Sequence, residues 1–261
     1  MKVKNSMIDK AVNIEKVLLF HDVDVNYRTG MQDQNSRYLM NWDKFKNIIK
    51  SAEKSETIFE KIEPYSALPQ NFTRITVDDG GGSSLELAKF LKSLNIKAYF
   101  FIVSNFIGRD KFLTKNEIHD IHKMGHIIGS HSHTHPNPFH LISKNEVIKE
   151  LNKSIAILED IINSPVRTFA VPGGEVNKKL LNFLSSSVFD LDEIYISTPY
   201  KGKALGYADS SKIYGRLCLE GTMSDSKLFR FIEGKGWNYA LMDYQLRRLR
   251  REIIYKLGFK I

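Results

Sequence analysis

The chain has 261 residues, 42% of them hydrophobic and 26% charged, which is typical of a globular protein with a sizeable core. Its single cysteine, Cys218, excludes an intrachain disulfide framework and a multi-cysteine zinc site, and we expect it to be a small core residue. Residues 235–261 hold seven basic and two acidic residues, hence +5 of the net +8. No basic face with interleaved aromatic side chains is visible, so a nucleic-acid partner is not expected.

The chain start gives a weak indication of location. No apolar run approaches the length of a membrane span, and residues 1–16 lack the apolar core and cleavage site of a secretory signal. We therefore expect a cytoplasmic or membrane-peripheral protein, although an exported protein whose leader had been trimmed would look the same.

Strand-like and helix-like segments alternate along the chain. Apolar runs of strand length occur at 16–25, 74–79, 97–103, 126–130, 167–172, 193–197 and 212–219. Between them, residues recurring with helical spacing predict helices at 83–95, 114–125, 143–162 and 177–186. The first three of these helices begin with Ser or Thr followed three residues later by Glu, which predicts a capping box in each.

Two segments depart from this alternation. Residues 24–72 are predicted to be an irregular insertion with one helix near Trp42–Lys50. Residues 238–257 are predicted to form a basic amphipathic helix with an apolar stripe made of Met242, Leu246, Leu249, Ile253 and Leu257. Packing of the stripe on the rest of the protein is the favoured interpretation, and peripheral contact with an anionic membrane is the alternative.

The alternation of strands and helices with short connections predicts an α/β fold, either a parallel sheet or a closed barrel. About seven strands fit one barrel-like domain over residues 1–261 better than two domains. Because loops at strand ends converge on one opening in such folds, we expect catalytic and ligand-binding residues there. Four strand ends carry polar or glycine-rich stretches, namely His21–Asp24, Asp78–Asp79, His131–His135 and Val171–Gly174.

The stretch VDDGGG contains adjacent carboxylates, Asp78 and Asp79. In a regular strand they would point to opposite sides, but a turn into the glycines lets both reach one opening. An Asp-Gly turn with a helix N-cap is the alternative explanation.

The stretch HSHTHP contains His131, His133 and His135. On a helical turn, residues four apart face the same way, so His131 and His135 could share a metal while His133 points elsewhere. In an extended strand all three would share a face. A carboxylate and two imidazoles are a sufficient ligand set for Zn²⁺ with an open position for water.

These stretches resemble the motifs of a known family. TVDDG resembles the T-F-D-D-G motif of the polysaccharide deacetylases, carbohydrate esterase family 4, and HSHTH resembles their H-[ST]-x-x-H motif. FAVPGG resembles a variant form, F-A-Y-P-x-G, of their third motif. The resemblance covers at least residues 16–200. It implies a distorted (β/α) barrel and metal-dependent removal of an acetyl group from an N-acetylated sugar.

The resemblance also implies roles for single residues. Asp78 would be the general base, and Asp79, His131 and His135 would bind one divalent metal, with zinc as the default. His133 falls on a variable position of the motif. The backbone N–H of Gly173 would stabilise the oxyanion of the reaction.

The general acid has no counterpart at the family's usual C-terminal place, since no histidine follows His140. VLLFHD near the start resembles that late motif, as in the permuted poly-N-acetylglucosamine deacetylase branch. By this match His21 would protonate the leaving amine. We expect Asp22 or Asp24 to let His21 carry a proton near neutral pH.

The third motif departs from the family pattern. Ala170 holds the place of an arginine that pairs with the base, and Gly173, after Pro172, holds the place of a tyrosine. Arg216 or Arg167 could supply the missing charge, and we expect these two residues and Pro172 to orient the base or bind substrate. Two other functions therefore stay open: an N-deformylase or other amide hydrolase acting on a lipid- or nucleotide-linked sugar, and an inactive carbohydrate-binding homologue.

Overall fold

The computed structural model describes residues 13–25, 28–33, 36–55, 57–62, 71–199 and 211–256. Over these residues the order is β1 (Asn13–Phe20), β2 (Asp22–Val23), β3 (Leu39–Met40), α1 (Trp42–Lys54), β4 (Asn71–Val77), α2 (Ser84–Ser93), β5 (Ala98–Ile102), α3 (Lys115–Lys123), β6 (Ile127–Ser130), α4 (Lys144–Ile162), β7 (Thr168–Ala170), α5 (Lys178–Leu184), β8 (Glu193–Ile196), β9 (Lys212–Gly215), β10 (Leu217–Cys218), α6 (Asp225–Ile232) and α7 (Trp237–Lys256).

Eight of the strands form one parallel sheet in the order β10-β1-β4-β5-β6-β7-β8-β9. Only Arg216 separates the two edge strands β9 and β10, so one short segment brings the edges of the sheet together and nearly closes a barrel. The predicted α/β class and distorted (β/α) barrel are confirmed. The predicted strand 212–219 is two strands, which makes the count eight rather than about seven.

Residues on β5 show how the barrel is filled. Tyr99 and Phe101 belong to a cluster of inward-facing side chains, whereas Ala98, Phe100 and Ile102 pack with helix residues on the outside. This alternation follows from the two-residue period of a strand. Buried on both faces, the sheet holds its strand ends in fixed positions.

The predicted capping boxes of α3 and α4 are confirmed, with Thr114 and Glu117 in one and Ser143 and Glu146 in the other. The box predicted for α2 is wrong. The Ser83 hydroxyl makes no cap hydrogen bond. It donates instead to Asp22 Oδ1 at 2.5 Å, because this carboxylate is buried beside it and needs a donor.

The insertion contains the predicted helix, which runs to Lys54, and also strand β3. The C-terminal helix is α7, which is anchored by the buried Trp237. Packing of its apolar stripe on the barrel is a wrong prediction for Met242, Leu246 and Leu249, which are all more than half exposed because the opposite face of α7 meets the protein. The side chain of Ile253 and residue Leu257 lie outside the described part.

Among the described helices, none combines the length and the apolar character that crossing a bilayer requires.

Candidate functional site

A cavity of about 450 Å³ opens at the carboxyl ends of the strands. Six of the predicted site residues line it, namely His21, Asp78, Asp79, His131, His135 and Gly173. The strand ends of β1, β4, β6 and β7 bring them together from four separate parts of the chain, as the barrel geometry predicts.

The backbone leaves the strand conformation directly after Asp78. Asp79 has φ +76° and Gly80 also has φ +76°, in the left-handed region that aspartate and glycine tolerate better than other residues. The turn aims both carboxylates at one opening. His131 Nε2 lies 3.7 Å from Asp78 Oδ2 and 3.6 Å from Asp79 Oδ1.

Asp79, His131 and His135 form a cluster whose donor atoms all lie within 4.8 Å of one another. His135 Nε2 is 3.8 Å from Asp79 Oδ1. Atoms bound to zinc at about 2.0–2.2 Å in tetrahedral geometry lie about 3.3–3.6 Å apart, so small movements would let this set hold the ion. The Nδ1 of His131 donates to the carbonyl of Ala170 at 2.8 Å, which directs its Nε2 to the cluster.

The histidine loop is neither a helix nor a strand. Ser132 and His135 have positive φ values of 65° and 59°, and the Ser132 hydroxyl accepts from the backbone N–H of His135 at 3.0 Å. His133 lies outside the cluster, where its Nδ1 shares a 2.8 Å hydrogen bond with Ser104. Of the three histidines, the structure brings only His131 and His135 to Asp79.

Asp78 is engaged differently from Asp79. Its two oxygens accept from Arg216 at 2.6 and 2.8 Å, and the Arg216 side chain is fully buried. In Asp79, Oδ1 faces the histidines while Oδ2 accepts from Gln32 at 3.2 Å. The contacts therefore separate an arginine-bound carboxylate from one available to a metal.

Arg216 reaches Asp78 from the junction between β9 and β10, whereas Ala170, at the end of β7, contributes only its carbonyl, which accepts from His131. Arg167 does not reach the site. It pairs with Asp190 at 2.9 Å, and both side chains are largely exposed, so Arg167 is a wrong choice for the missing charge.

The protonation states follow from burial and neighbouring charges. Burial raises the pKa of Asp78, but Arg216 and His131 outweigh this, so its pKa lies below the ordinary value. Burial, followed by repulsion from Asp78 and Asp22, raises the pKa of Asp79 well above the ordinary value. Burial lowers the pKa of His131 to about 3. A neutral His131 is the form that can bind a metal, and a cation beside Asp79 would keep that carboxylate ionised.

His21 lies at the end of β1 with its ring 4.6 Å from that of Tyr38. Its Nδ1 is buried and has no hydrogen-bond partner among the described residues. Enclosure of the ring lowers the pKa of His21 to about 4, although Asp78 raises it. His21 is therefore neutral at pH 7 in the free protein.

The expectation that Asp22 or Asp24 keeps His21 protonated is wrong. Asp22 accepts from Ser83 at 2.5 Å, and Asp24 accepts from the backbone N–H of Trp42 at 2.6 Å. Both acids are thus used by neighbouring backbone and hydroxyl groups. Burial raises the pKa of Asp22 to about 7.

Gly173 has φ +65°, and a Cβ at this position would lie 2.8 Å from Asn137 Oδ1. Asn137 therefore approaches the place that a tyrosine side chain holds in the common motif. Pro172 is buried and is not among the residues that line the cavity.

Sequence reasoning missed several residues that line the cavity, namely Gln32, Tyr38, Asn137, Glu175, Tyr244 and Arg247. They come mainly from the irregular insertion and from α7, where no motif marks them. Two of them had a usable signal: Asn137 lies two residues after His135, and Glu175 directly follows the Val171–Gly174 stretch.

Comparison with known proteins agrees with the motifs. The polysaccharide deacetylase family profile matches residues 66–189. Over 108 residues the chain is 32% identical to the peptidoglycan-N-acetylglucosamine deacetylase PgdA of Listeria monocytogenes. The aligned region covers 41% of this chain and 22% of that protein. The chain spans about half the length, or less, of the curated relatives it matches.

Solved structures share the fold. A polysaccharide deacetylase from Bacillus cereus aligns with a TM-score of 0.68 and 19% identity, covering 83% of this chain and 68% of that chain. IcaB from Ammonifex degensii aligns with a TM-score of 0.62 and 14% identity, covering 84% of this chain and 96% of that chain. The resemblance to carbohydrate esterase family 4 is confirmed.

Proposed function

We propose that this chain is a metal-dependent hydrolase that removes the N-acetyl group of an amino sugar in a polysaccharide or glycoconjugate, and the match of the polysaccharide deacetylase profile to residues 66–189 supports this. One observation carries this function: the cluster of Asp79, His131 and His135 shares an open cavity with the Asp78–Arg216 pair. Since one sheet takes strands from Asn13 to Cys218, we also propose a single catalytic domain.

Asp79, His131 and His135 would hold one divalent ion, with zinc as the default for one carboxylate and two imidazoles. When bound, such an ion lowers the pKa of a coordinated water and polarises the amide carbonyl. Contacts outside the cluster orient two of these side chains: His131 donates to the Ala170 carbonyl, and Asp79 accepts from Gln32.

Asp78 would take the proton of the attacking water. Its pKa is low because Arg216 and His131 outweigh the effect of burial, so it is ionised and ready to accept at neutral pH. Both of its oxygens bind Arg216, which fixes the direction of the carboxylate. The backbone N–H of Gly173 would donate to the oxyanion that forms on the carbonyl oxygen.

His21 would protonate the departing amine. It lines the cavity, and its buried Nδ1 has no partner among the described residues. Because the free protein holds His21 neutral, the ring would first take up a proton from solvent in the open cavity and then pass it to the amine nitrogen as the carbon–nitrogen bond breaks. Strand β1, which leads into His21, lies between β10 and β4, the strand that leads into Asp78, and this supports placing the chain in the permuted branch.

The test is metal analysis of the purified protein combined with acetate release from a panel of N-acetylated glucosamine oligomers and peptidoglycan fragments. We expect one divalent ion per chain and acetate release that chelation abolishes. His131→Ala should lose both, whereas the matched variant His133→Ala should keep both. Metal retained in His131→Ala and lost in His133→Ala would refute the ligand set.

The two other functions give different results in the same assay. Formate release from an N-formylated lipid- or nucleotide-linked sugar, with no acetate release, would replace the deacetylase by a deformylase. Binding of the oligomers by a metal-loaded protein without release of either acid would indicate an inactive carbohydrate-binding homologue.

A further inference from the structure

Helix α7 carries an exposed apolar face. Among the described residues, eight large hydrophobic side chains are exposed, and four of them lie on this helix. These four are Tyr239, Met242, Leu246 and Leu249, which are 75%, 57%, 56% and 54% exposed. Their spacing of three, four and three residues places them on one side of the helix. Single exposed apolar residues are ordinary, but a clustered face indicates a binding surface.

The opposite side of α7 meets the protein. Trp237 is buried and donates from Nε1 to the carbonyl of Phe231 at 2.8 Å. Ala240 packs against the main core, and Tyr244 lines the cavity of the candidate site. At 100° per residue, these three positions lie across the helix from the apolar face. The apolar face therefore points away from the barrel.

A basic hollow of about 300 Å³ adjoins this face at its N-terminal end. Lys227, Arg230 and Lys235 line it together with Phe231 and Tyr239, and none of the described residues that line it is acidic. Lys235 also pairs with the nearby Glu233 at 2.7 Å. Because Tyr239 belongs to both the hollow and the apolar face, the two form one continuous surface.

We propose that this α6–α7 surface docks on an anionic lipid membrane, with the apolar face of α7 in the headgroup region and the basic hollow against lipid phosphates. An exposed apolar face flanked by cations is the pattern of an interfacial helix. Anionic lipids attract nearby Lys and Arg side chains.

Charge disfavours a second copy of the chain as the occupant. Residues 225–250 contain six basic and three acidic side chains, a net charge of +3. A symmetric dimer through this surface would bring two such faces together, and the like charges would repel each other.

Docking would hold the candidate site near the lipid surface. Tyr244 and Arg247 lie on α7 and line the site cavity. A membrane under α7 would thus favour glycans or glycolipids presented at that membrane. The docking itself rests on no part of the proposed reaction, and its test needs no activity.

The experiment is sedimentation of the full chain with phosphatidylcholine vesicles, with and without phosphatidylglycerol. We expect binding that needs the anionic lipid and weakens as ionic strength rises. Leu246→Glu combined with Leu249→Glu should lower partitioning at least tenfold. Arg230→Gln combined with Lys235→Gln should lower it by about fivefold for each cation removed.

Matched controls lie elsewhere on the surface. Leu141 and Val188 are 65% and 54% exposed, and Leu141→Glu with Val188→Glu should leave partitioning unchanged. Lys178→Gln with Lys179→Gln removes two exposed cations from α5 and should also have no effect.

Equal binding of wild type and the α7 double variant, or equal binding to vesicles with and without phosphatidylglycerol, would overturn the proposal. So would no vesicle binding together with a dimer, seen by light scattering, that Leu246→Glu with Leu249→Glu dissociates. That result would assign the face to a second copy of the chain.

Discussion

Two buried arginine–carboxylate clusters lie at opposite ends of the barrel, and both use strand β4. Arg74 and Asp78 are four residues apart there, about 13 Å along the strand. At one end, Arg74 pairs with Glu60 at 2.6 Å and with Glu193 at 2.9 Å. At the other end, Arg216 pairs with Asp78 at 2.6 Å.

The Arg74 cluster is closed, in the sense that its polar side chains pair with one another. Tyr195 donates to Glu193 at 2.6 Å and Tyr99 donates to Glu60 at 3.2 Å, and the Arg74 guanidinium lies 4.1 Å from the centre of the Tyr99 ring. None of the buried polar side-chain atoms of these five described residues lacks a partner. Complete pairing is what a purely structural ionic cluster requires.

The Arg216 end is not closed in this way. His21 Nδ1, Asp22 Oδ2 and Arg216 Nε are buried without a hydrogen-bond partner among the described residues. His21 and Asp78 line the cavity at this end, whereas none of the five residues of the Arg74 cluster lines it. Similar charges thus stabilise the fold at one end of the barrel, and at the other they leave groups available to a metal and a substrate.

The largest expected effect is on turnover at the open end. Asp78→Asn should lower kcat about 10²–10⁴-fold while leaving one metal per chain, because Asp78 is assigned as a base and not as a ligand. Metal analysis and acetate release on the same sample measure both. Loss of metal from a folded variant would mean that Asp78 and Asp79 exchange roles.

The second prediction concerns stability at the closed end. Arg74→Met removes the buried cation nearest to Glu60 and Glu193, leaving Glu60 only Lys97 at 3.9 Å. It should lower the free energy of unfolding by about 3–5 kcal/mol. Urea denaturation measures it, and the folded variant should keep its metal. The control is Arg167→Met, whose exposed pair with Asp190 should contribute less than about 1 kcal/mol. Equal losses of unfolding free energy in Arg74→Met and Arg167→Met would contradict the conclusion that the buried Arg74 cluster stabilises the fold more than an exposed ion pair does.

His21→Ala should slow turnover of an N-acetyl sugar about 100-fold, the lower end of the range for an acid catalyst. An aryl acetate, whose phenolate leaves without being protonated, should be affected far less. Metal content should not change. An equal loss of turnover on both substrates would show that His21 is not the proton donor. The control is His133→Ala, which should turn over both substrates normally.

Much of the fold was predictable because the apolar runs and capping boxes are local signals. The barrel seam was not, because Gly215 in KIYGRLCL indicates an irregularity but cannot tell a bulge within one strand from a break between two. The break at Arg216 depends on the pairing of β9 with β8 and of β10 with β1, which only the folded sheet determines.

The candidate site shows the same division. The motifs indicated Asp79, His131 and His135, which the structure brings together. They could not indicate the state of His21, because its pKa depends on enclosure by residues distant in sequence. Ser83 likewise reads as a helix cap, but it serves the buried Asp22 instead.

The prediction with the smallest expected effect tests the difference between Arg216 and Arg74 most directly. Arg216 donates to both oxygens of Asp78, and lysine keeps the charge but cannot form the two-pronged contact. Arg216 and His131 hold the pKa of Asp78 down against burial, so Arg216→Lys should raise that pKa. Asp78 would then keep its proton to a higher pH, and the acid limb of the pH–rate profile should move upward.

A shift of about one pH unit would lower turnover about tenfold below the limb and leave it nearly unchanged above. The depressed pKa also means that Asp78 stabilises the fold above its unfolded-state pKa and that this stability is lost as the pH falls through the folded-state pKa. Acid unfolding of Arg216→Lys should therefore begin at a higher pH. Arg74→Lys makes the same exchange at the closed end; it should lower stability without moving the acid limb of turnover. A limb that stays in place in Arg216→Lys, or moves equally in Arg74→Lys, would show that Arg216 does not set the protonation of Asp78.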